Sequence, residues 1–360
     1  MPPKREPTEF ENELTSRLAE KDLPNGKKYA PSSIKVFTGN IYKLHNMIYP
    51  GETLKGLDFL MDYQNVIKIL NEQKGKQGEP IKLNAKISYY NAIIVALSTT
   101  NFNQEIKQHY ADVRDSIQVK RDQEQPKGVN PSKQQSAIDK VSKQDIFKMI
   151  DTLIDESKQK EGLTIYALKK DPELKRRNAF MRALVFKIYT EHPLRNDIAN
   201  MKIISKKWFE ENKHTEDFKK NNWIVIQKKK VTMIKMKYKT ATKYGMTLIK
   251  IENDELKDMI KTWITDWLKM KEGDLLYDKT PLISFATGTP LTSNDLSHLM
   301  LNTSEKYLGV GISTTIMAKI FSLAPIDIET ATIEELKPAK KQAKQRGHSL
   351  ATKMGSYAKQ

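Results

Sequence analysis

The feature that most constrains the fold of this 360-residue chain is a change of hydrophobic periodicity partway along it. Over residues 32–114 apolar side chains recur every three or four positions, which predicts amphipathic helices. Ser32-Ser33 suits the N-cap of the first helix. Further helices are predicted over residues 59–70 and 87–97. We therefore expect a small all-helical domain over residues 31–117.

Two polar segments flank this helical region. Residues 1–30 are polar and charged, and we predict that they are loosely ordered. Residues 118–138 are predicted to be a linker, because the stretch 120–132 contains two prolines, a glycine and no apolar period. Since a chain of this length exceeds one ordinary core, a second domain is expected over residues 139–360.

The second domain begins with helical spacing and then changes to strand alternation. Ser142, followed by Asp145 three residues later, predicts a helix N-terminus. Apolar and polar residues alternate over 223–227, 231–236 and 246–251, which predicts strands. Turns are predicted near residues 228–230 and 240–243. Further helices are predicted over residues 176–190, 255–268, 293–308 and 313–323. The predicted fold class is mainly α with a small antiparallel β-sheet.

The charge balance narrows the possible partners. The formal net charge is +17, which indicates a polyanionic partner, nucleic acid ahead of an anionic membrane. No apolar run approaches the roughly 20 residues that span a bilayer, and the N-terminus lacks an apolar signal region. The chain has no cysteine, its six histidines show no metal-ligand spacing, and no phosphate-binding G-x-x-x-x-G-K-[ST] loop occurs. We therefore expect no metal or cofactor, an intracellular location, and chemistry performed by side chains alone.

Lysines are concentrated in one acid-free stretch. Residues 218–251 contain ten lysines and no Asp or Glu, a bias that favours a surface held against phosphates. Lys239 lies at a strand-to-turn junction, where an ammonium can protonate a departing oxygen; a plain backbone contact is the alternative. Lys237 and Lys243 are the other lysines considered for this role. In the helical domain the candidate DNA-facing residues are Lys35, Lys43, Lys82 and Lys86; the alternative is that they only keep the helices solvated.

A single arginine stands at a predicted helix start. In the sequence His192-Pro-Leu-Arg-Asn-Asp197, proline suits the start of a helix and the aspartate falls in its first turn. Arg195 is thus placed beside a helix N-terminus, where its planar guanidinium can hold two phosphate oxygens. The alternative is a surface ion pair between Arg195 and Asp197, which contributes less than about 1 kcal/mol.

The C-terminal residues combine a histidine, a tyrosine and many cations. Gly347-His348-Ser349 is followed by Tyr357, nine positions after the histidine. From Lys337 to the end there are seven Lys or Arg and no acid, and Lys344 and Arg346 among them are candidate DNA-binding residues, as are Lys237 and Lys243. A phenol, with an ordinary pKa of about 10, attacks phosphorus only where cations hold the phosphate. The alternative for Tyr357 is a surface anchor with its hydroxyl in water.

The order of these motifs resembles the tyrosine recombinase family, the phage-type integrases. The likeness covers nearly the whole chain. Residues 141–145 look like the opening of the family's catalytic domain, and residues 281–293 look like the strand and helix start before its second arginine motif. The region 31–117 resembles the core-binding domain. The resemblance implies a two-domain fold that closes around duplex DNA.

The resemblance also assigns roles to individual residues. It makes Arg195 a phosphate-holding arginine, Lys239 the lysine that protonates the 5′-oxygen, His348 a phosphate hydrogen-bond donor and Tyr357 the nucleophile. The sequence departs from the pattern at one place. Where the family has H-x-x-R, this chain has Thr315 and Ala318, so the second arginine is replaced. Lys319 is adjacent but points about 100° away on a helix.

Several interpretations of this resemblance are open. The first is a site-specific DNA recombinase or integrase, inactivated at Ala318 or working differently, on double-stranded DNA as a homodimer or homotetramer. Its lysine- and asparagine-rich composition suggests a virus or mobile element, which implies the host cytoplasm, the nucleus or a virion. Type IB topoisomerases and telomere resolvases share the chemistry. A DNA-binding protein without catalysis on the same scaffold is the alternative from another class.

Overall fold

The computed structural model describes residues 5–23, 26–75, 78–101, 103–124, 132–159, 171–227, 230–274, 277–321 and 332–347. The chain divides into two compact units, Met1–Pro126 and Lys127–Gln360. The described residues are mainly helical with a small four-stranded sheet, which confirms the coarse fold class. None of the helices in these ranges is long and apolar enough to cross a membrane.

In its described part the first unit has helices and no strand, apart from two isolated β-bridges. Its helices are α1 (Glu9–Glu20), α2 (Pro31–Ile48), α3 (Tyr63–Glu72), α4 (Leu83–Leu97) and α5 (Gln104–Glu124), with a 3₁₀ turn at Asp58–Met61. Its core is apolar side chains from these helices, with Tyr90 and Tyr110 fully buried. The Tyr110 hydroxyl donates to the carbonyl of Leu60 at 2.9 Å, so a buried polar group is satisfied.

Three boundary predictions for this region are wrong. The N-terminal segment is not loosely ordered throughout, because α1 is closed by a Thr8–Glu11 capping box and buries Leu14 and Leu18. Helix α2 begins at Pro31 rather than after Ser32-Ser33, because proline suits the first helical position. The predicted linker is partly helical, since α5 continues to Glu124 and the next helix begins at Ser132.

The second unit places helices around the sheet. Its helices are α6 (Ser132–Lys140), α7 (Lys143–Lys158), α8 (Pro172–Glu191), α9 (Lys206–Asn212), α10 (Glu216–Lys219), α11 (Ala241–Tyr244), α12 (Asp254–Thr262), α13 (Ser293–Leu308), α14 (Thr314–Ile320) and α15 (Ile333–Arg346). A 3₁₀ turn at Asn196–Ile198 follows α8, and a π-helical turn at Trp263–Trp267 extends α12. The capping box of Ser142 and Asp145 confirms the predicted start of α7.

The four strands are β1 (Met201–Ser205), β2 (Asn222–Ile226), β3 (Val231–Lys235) and β4 (Thr247–Ile251), in that spatial order. β2, β3 and β4 are antiparallel, but β1 runs parallel to β2, so the sheet is mixed and not wholly antiparallel as predicted. The parallel pair needs a crossover, which α9 and α10 supply. Strand β1 has no alternating pattern because both its faces are covered.

Of the two predicted turns, the structure describes residues 240–243 and only part of residues 228–230. The predicted turn at residues 240–243 is the short helix α11, which lies within the loop between β3 and β4. Residues 228 and 229, in the other predicted turn, lie outside the described residues. The hairpin there is closed by Gln227 and Lys230, whose backbones exchange two hydrogen bonds.

Candidate functional site

Arg346, at the end of α15, joins two of the segments that the sequence analysis selects. Its guanidinium donates to the carbonyl oxygen of Leu194 at 2.7 Å and lies 3.4 Å from the Thr314 carbonyl and from the Thr315 hydroxyl. The side chain is buried. Arg346, predicted to bind DNA, is therefore buried inside the unit, where one nitrogen of its guanidinium donates to backbone carbonyls. It connects the turn that carries Arg195 to α14.

Arg195 occupies the N-cap position of the 3₁₀ turn Asn196–Ile198 and is half-buried. Its carbonyl oxygen accepts a hydrogen bond from the Tyr189 hydroxyl at 2.6 Å, which fixes the backbone of the turn. Burial raises the pKa of Tyr189 well above its ordinary value, so this phenol stays protonated and remains a donor. The sequence predicts the start of a helix here, whereas the structure has only this three-residue turn before β1.

Lys235, at the end of β3, is a central residue that sequence reasoning missed. Its side chain is 0% exposed, and its Nζ lies 2.5 Å from Asp197 Oδ2, donates to the Gln345 carbonyl at 2.7 Å and lies 4.5 Å from the Tyr238 ring centroid. Burial lowers the pKa of Lys235; Asp197 acts in the opposite direction, while Arg195 and Arg346 lower it further. Its position after two inward-facing strand residues, Val231 and Met233, is the signal that could have identified it.

The ion pair between Lys235 and Asp197 involves the carboxylate that the alternative for Arg195 requires. The sequence analysis allows a surface pair of Arg195 with Asp197, but the Asp197 carboxylate is only 11% exposed and pairs with Lys235. The negative charge beside Arg195 is thereby balanced by a buried lysine. An anion that approached this turn would therefore face the Asp197 carboxylate with its charge already neutralised by Lys235.

Asn222, the first residue of β2, attaches the lysine-bearing loop to the Arg195 turn. Its amide nitrogen donates to the carbonyls of Lys237 at 2.9 Å and Asp197 at 3.2 Å. Its amide oxygen accepts from the backbone nitrogens of Met236 and Lys237, both at 2.9 Å. One buried side chain thus satisfies four backbone groups, a role that its residue type alone does not indicate.

The loop between β3 and β4 carries the candidate lysines. Lys237 and Lys239 are exposed, and the side chain of Lys243 lies outside the described residues. The Thr240 hydroxyl, adjacent to Lys239, donates to the carbonyl of Gly347 at 2.8 Å. This bond brings the loop to the residue that directly precedes His348.

Gly347 is required by both its conformation and its surroundings. Its φ is +72°, and a Cβ at this position would lie 2.6 Å from Thr240 Oγ1 and 3.1 Å from the Tyr238 ring. We expect Gly347→Ala to lose about 1–2 kcal/mol of unfolding free energy from the left-handed backbone, and about 1–3 kcal/mol more from the clash. Denaturant unfolding measures the sum.

Gly309→Ala is the matched control for this prediction. Gly309 has φ +69° at the end of α13, but a Cβ there would meet nothing within 4 Å. It should show the backbone loss alone. Equal losses in the two variants would contradict the close approach of Gly347 to the loop.

Helix α14 contains the position at which the resemblance expects the second arginine. Ala318 is buried, and it lies one turn after Thr314, whose carbonyl is near Arg346. Thr315 is half-buried and faces the Arg346 guanidinium. Lys319 donates to the Gln134 side chain at 2.8 Å, and its pKa is lowered first by burial and then by Arg346. Position 318 therefore lies in the helical turn that contacts Arg346. We refer to Arg195, Lys235 and Arg346 together as the cationic cluster.

His348 and Tyr357 lie outside the described residues, and Lys344 is exposed on α15. In the first unit Lys35, Lys43 and Lys82 are exposed, while Lys86 donates to Asn71 Oδ1 at 2.8 Å. The pKa of Lys86 is lowered by burial and then by Lys120.

Two cavities adjoin the cluster. One, of about 310 Å³, is lined mainly by polar groups, among them Asn196, Asn200, Asn221, Lys202 and Lys237. The other, of about 210 Å³, is lined by His192 together with residues of α15. Burial lowers the pKa of His192 to about 4, so its imidazole is neutral near pH 7 and adds no charge.

Arg195, Lys235 and Arg346 concentrate positive charge in this part of the second unit. The charges of Arg195 and Arg346 both lower the pKa of Lys235, and the exposed lysines Lys237 and Lys239 follow it closely in the chain. Within the described ranges no group of three His, Cys, Asp or Glu side chains could hold a metal ion. In comparisons with known proteins, no family model, curated protein or solved structure matches the chain.

Proposed function

We propose that this protein cuts and rejoins DNA strands through a tyrosine-linked intermediate, as a site-specific recombinase. One observation carries the proposal: four segments far apart in the chain are joined by direct contacts. Arg346 links the Arg195 turn to α14, and Thr240 links the lysine loop to Gly347. The segments are those that bear the candidate arginine, lysine, second-arginine position and histidine.

In the proposed reaction the Tyr357 phenol loses its proton to water as its oxygen attacks the phosphorus of one DNA strand. The P–O5′ bond breaks as the P–OTyr bond forms, and the Lys239 ammonium gives its proton to the departing 5′-oxygen. Arg195 and His348 stabilise the charge on the phosphate oxygens. The products are a 3′-phosphotyrosyl link and a free 5′-hydroxyl, and attack by a 5′-hydroxyl of a partner strand reverses the step. No metal or nucleotide is consumed.

DNA binding itself should depend steeply on salt. If the acid-free lysine stretch and the C-terminal cations lie on phosphates, the logarithm of affinity should fall with the logarithm of salt concentration with a slope of several units. Fluorescence anisotropy with short duplexes of random sequence measures this slope. A flat dependence would count against the duplex as the partner.

Covalent trapping tests the chemistry. The Ala318→Arg variant is incubated with a pool of duplexes that carry a nick beside a randomised sequence, and products are separated on denaturing gels. We expect a protein–DNA adduct whose linkage maps to Tyr357 and that Ala318→Arg/Tyr357→Phe does not form. An adduct that survives Tyr357→Phe would refute Tyr357 as nucleophile, and salt-dependent binding with no adduct would favour the second candidate.

The second candidate is a DNA-binding protein without strand cleavage, built on the same scaffold. The observation that favours it is Ala318, a buried methyl group at the position where the resemblance expects a guanidinium. Products separate the remaining options within the covalent mechanism. Relaxed plasmid without strand exchange would identify a topoisomerase, and hairpin ends would identify a telomere resolvase. A dimer or tetramer on DNA is part of the recombinase proposal.

A further inference from the structure

Lys235 holds three different segments together from a fully buried position. An ammonium has three N–H donors and no acceptor. In this structure it faces the Asp197 carboxylate, the Gln345 carbonyl and the Tyr238 ring, which belong to the Arg195 turn, the end of α15 and the β3–β4 loop. All of its hydrogen-bonding capacity is thus directed into the protein.

This arrangement separates Lys235 from the exposed loop lysines. Lys237 and Lys239 are open to solvent and can meet DNA, whereas Lys235 is 0% exposed. A residue with no exposed surface cannot donate to a phosphate without leaving its partners. Any effect of Lys235 on the reaction must therefore pass through the residues that it holds.

The segment that it holds carries the histidine. Gln345 accepts from Lys235, Arg346 donates to Leu194, and Gly347 accepts from Thr240. These three consecutive residues directly precede His348. Among these three contacts, the one between Lys235 and Gln345 differs because Lys235 also pairs with Asp197. Asp197 lies two residues after Arg195.

We propose that Lys235 is a positioning residue, which fixes the end of α15 relative to the Arg195 turn. The positioning itself is a property of the fold. Its consequence for strand cleavage rests on the proposed function.

The test uses the double variant Lys235→Met/Asp197→Asn in the full-length chain. Replacing both partners removes the ion pair without leaving an uncompensated buried carboxylate, so the second unit should remain folded. We expect hydrogen exchange at the end of α15, residues 343–347, to become at least about ten-fold faster, while exchange in β2 is unchanged. Unchanged protection at residues 343–347 would overturn the proposal.

Lys187→Met/Glu255→Gln is the matched control. Lys187 is also a buried lysine with a carboxylate partner in this unit, but its pair joins α8 to α12. It should leave exchange at the end of α15 unaltered. Faster exchange there in the control as well would show a general loss of stability and would remove the support for Lys235.

A second measurement separates positioning from binding. In the Ala318→Arg background we expect the double variant to form the DNA adduct at least about ten-fold more slowly at saturating DNA, with affinity for DNA changed less than about two-fold. A fall in affinity that matches the fall in rate would overturn the assignment. If the Ala318→Arg parent forms no adduct, the proposed function fails and hydrogen exchange alone decides the role of Lys235.

Discussion

Replacing Ala318 with arginine should raise the rate of covalent DNA cleavage by about 10²- to 10³-fold over the chain as it stands. This factor is the change in rate that one preorganised hydrogen-bond donor produces by stabilising a charged transition state. Position 318 lies in the turn of α14 whose Thr314 carbonyl is near Arg346, so a guanidinium there joins the existing cations. The measurement is the initial rate of adduct formation on nicked duplex at saturating protein.

The Ala318→Arg substitution should also lower the unfolding free energy of the protein without bound DNA. It adds a cation near Arg346 and Lys319, whose charges already influence one another. Denaturant unfolding should show a loss that added DNA or sulfate partly restores, because an anion relieves the repulsion and binds only the folded state.

Ala318→Met is the control for the added bulk. Methionine has a long unbranched side chain without charge, so it tests packing alone. It should leave the cleavage rate at the level of the unmodified chain. If Ala318→Arg folds, binds DNA and cleaves no faster than Ala318→Met, position 318 is not the missing arginine.

Lys235→Met should destabilise the second unit by about 3–5 kcal/mol. The substitution keeps the apolar stem of the lysine but leaves Asp197, only 11% exposed, without its cation. Breaking a buried ion pair by removing one partner has a loss of this size, because the remaining charge stays poorly solvated. A loss this large is a substantial part of the stability of an ordinary domain. Denaturant unfolding followed by tryptophan fluorescence measures it.

Two variants control this result. Lys187→Met removes another buried lysine, but its partner Glu255 is 58% exposed and can be solvated by water, so the loss should stay below about 1 kcal/mol. Adding Asp197→Asn to Lys235→Met should recover part of the loss, because no charge is left behind. Equal losses for Lys187→Met and Lys235→Met would contradict the buried pair.

Local sequence patterns were sufficient to predict a helix or strand where the interactions that determine it are short-range. The bounds of α13 agree with the prediction over residues 293–308, because a capping box and a 3.6-residue period both lie within the helix. Strands β2, β3 and β4 were predicted to within about two residues from alternation. Helix α1 was missed because its apolar residues are few, and its stability comes from burying Leu14 and Leu18 against other helices.

The candidate site was only partly predictable. The sequence placed Arg195 beside the N-terminus of a helix that begins at a proline, but the structure has only the three-residue 3₁₀ turn Asn196–Ile198 there. Arg346 and Lys235 have the same residue types as the surface cations around them. Their burial depends on carbonyl and carboxylate partners more than 100 and about 40 residues away in the chain. No local pattern reports such partners.

By itself the sequence determined the helical class with a small sheet and the excess of positive charge, since these follow from composition and short-range periodicity. The tertiary structure alone decided which cations are available. It buried Lys235 and Arg346 as internal connections and left Lys237 and Lys239 exposed, because desolvating a charge requires partners that only the folded chain brings within hydrogen-bonding distance.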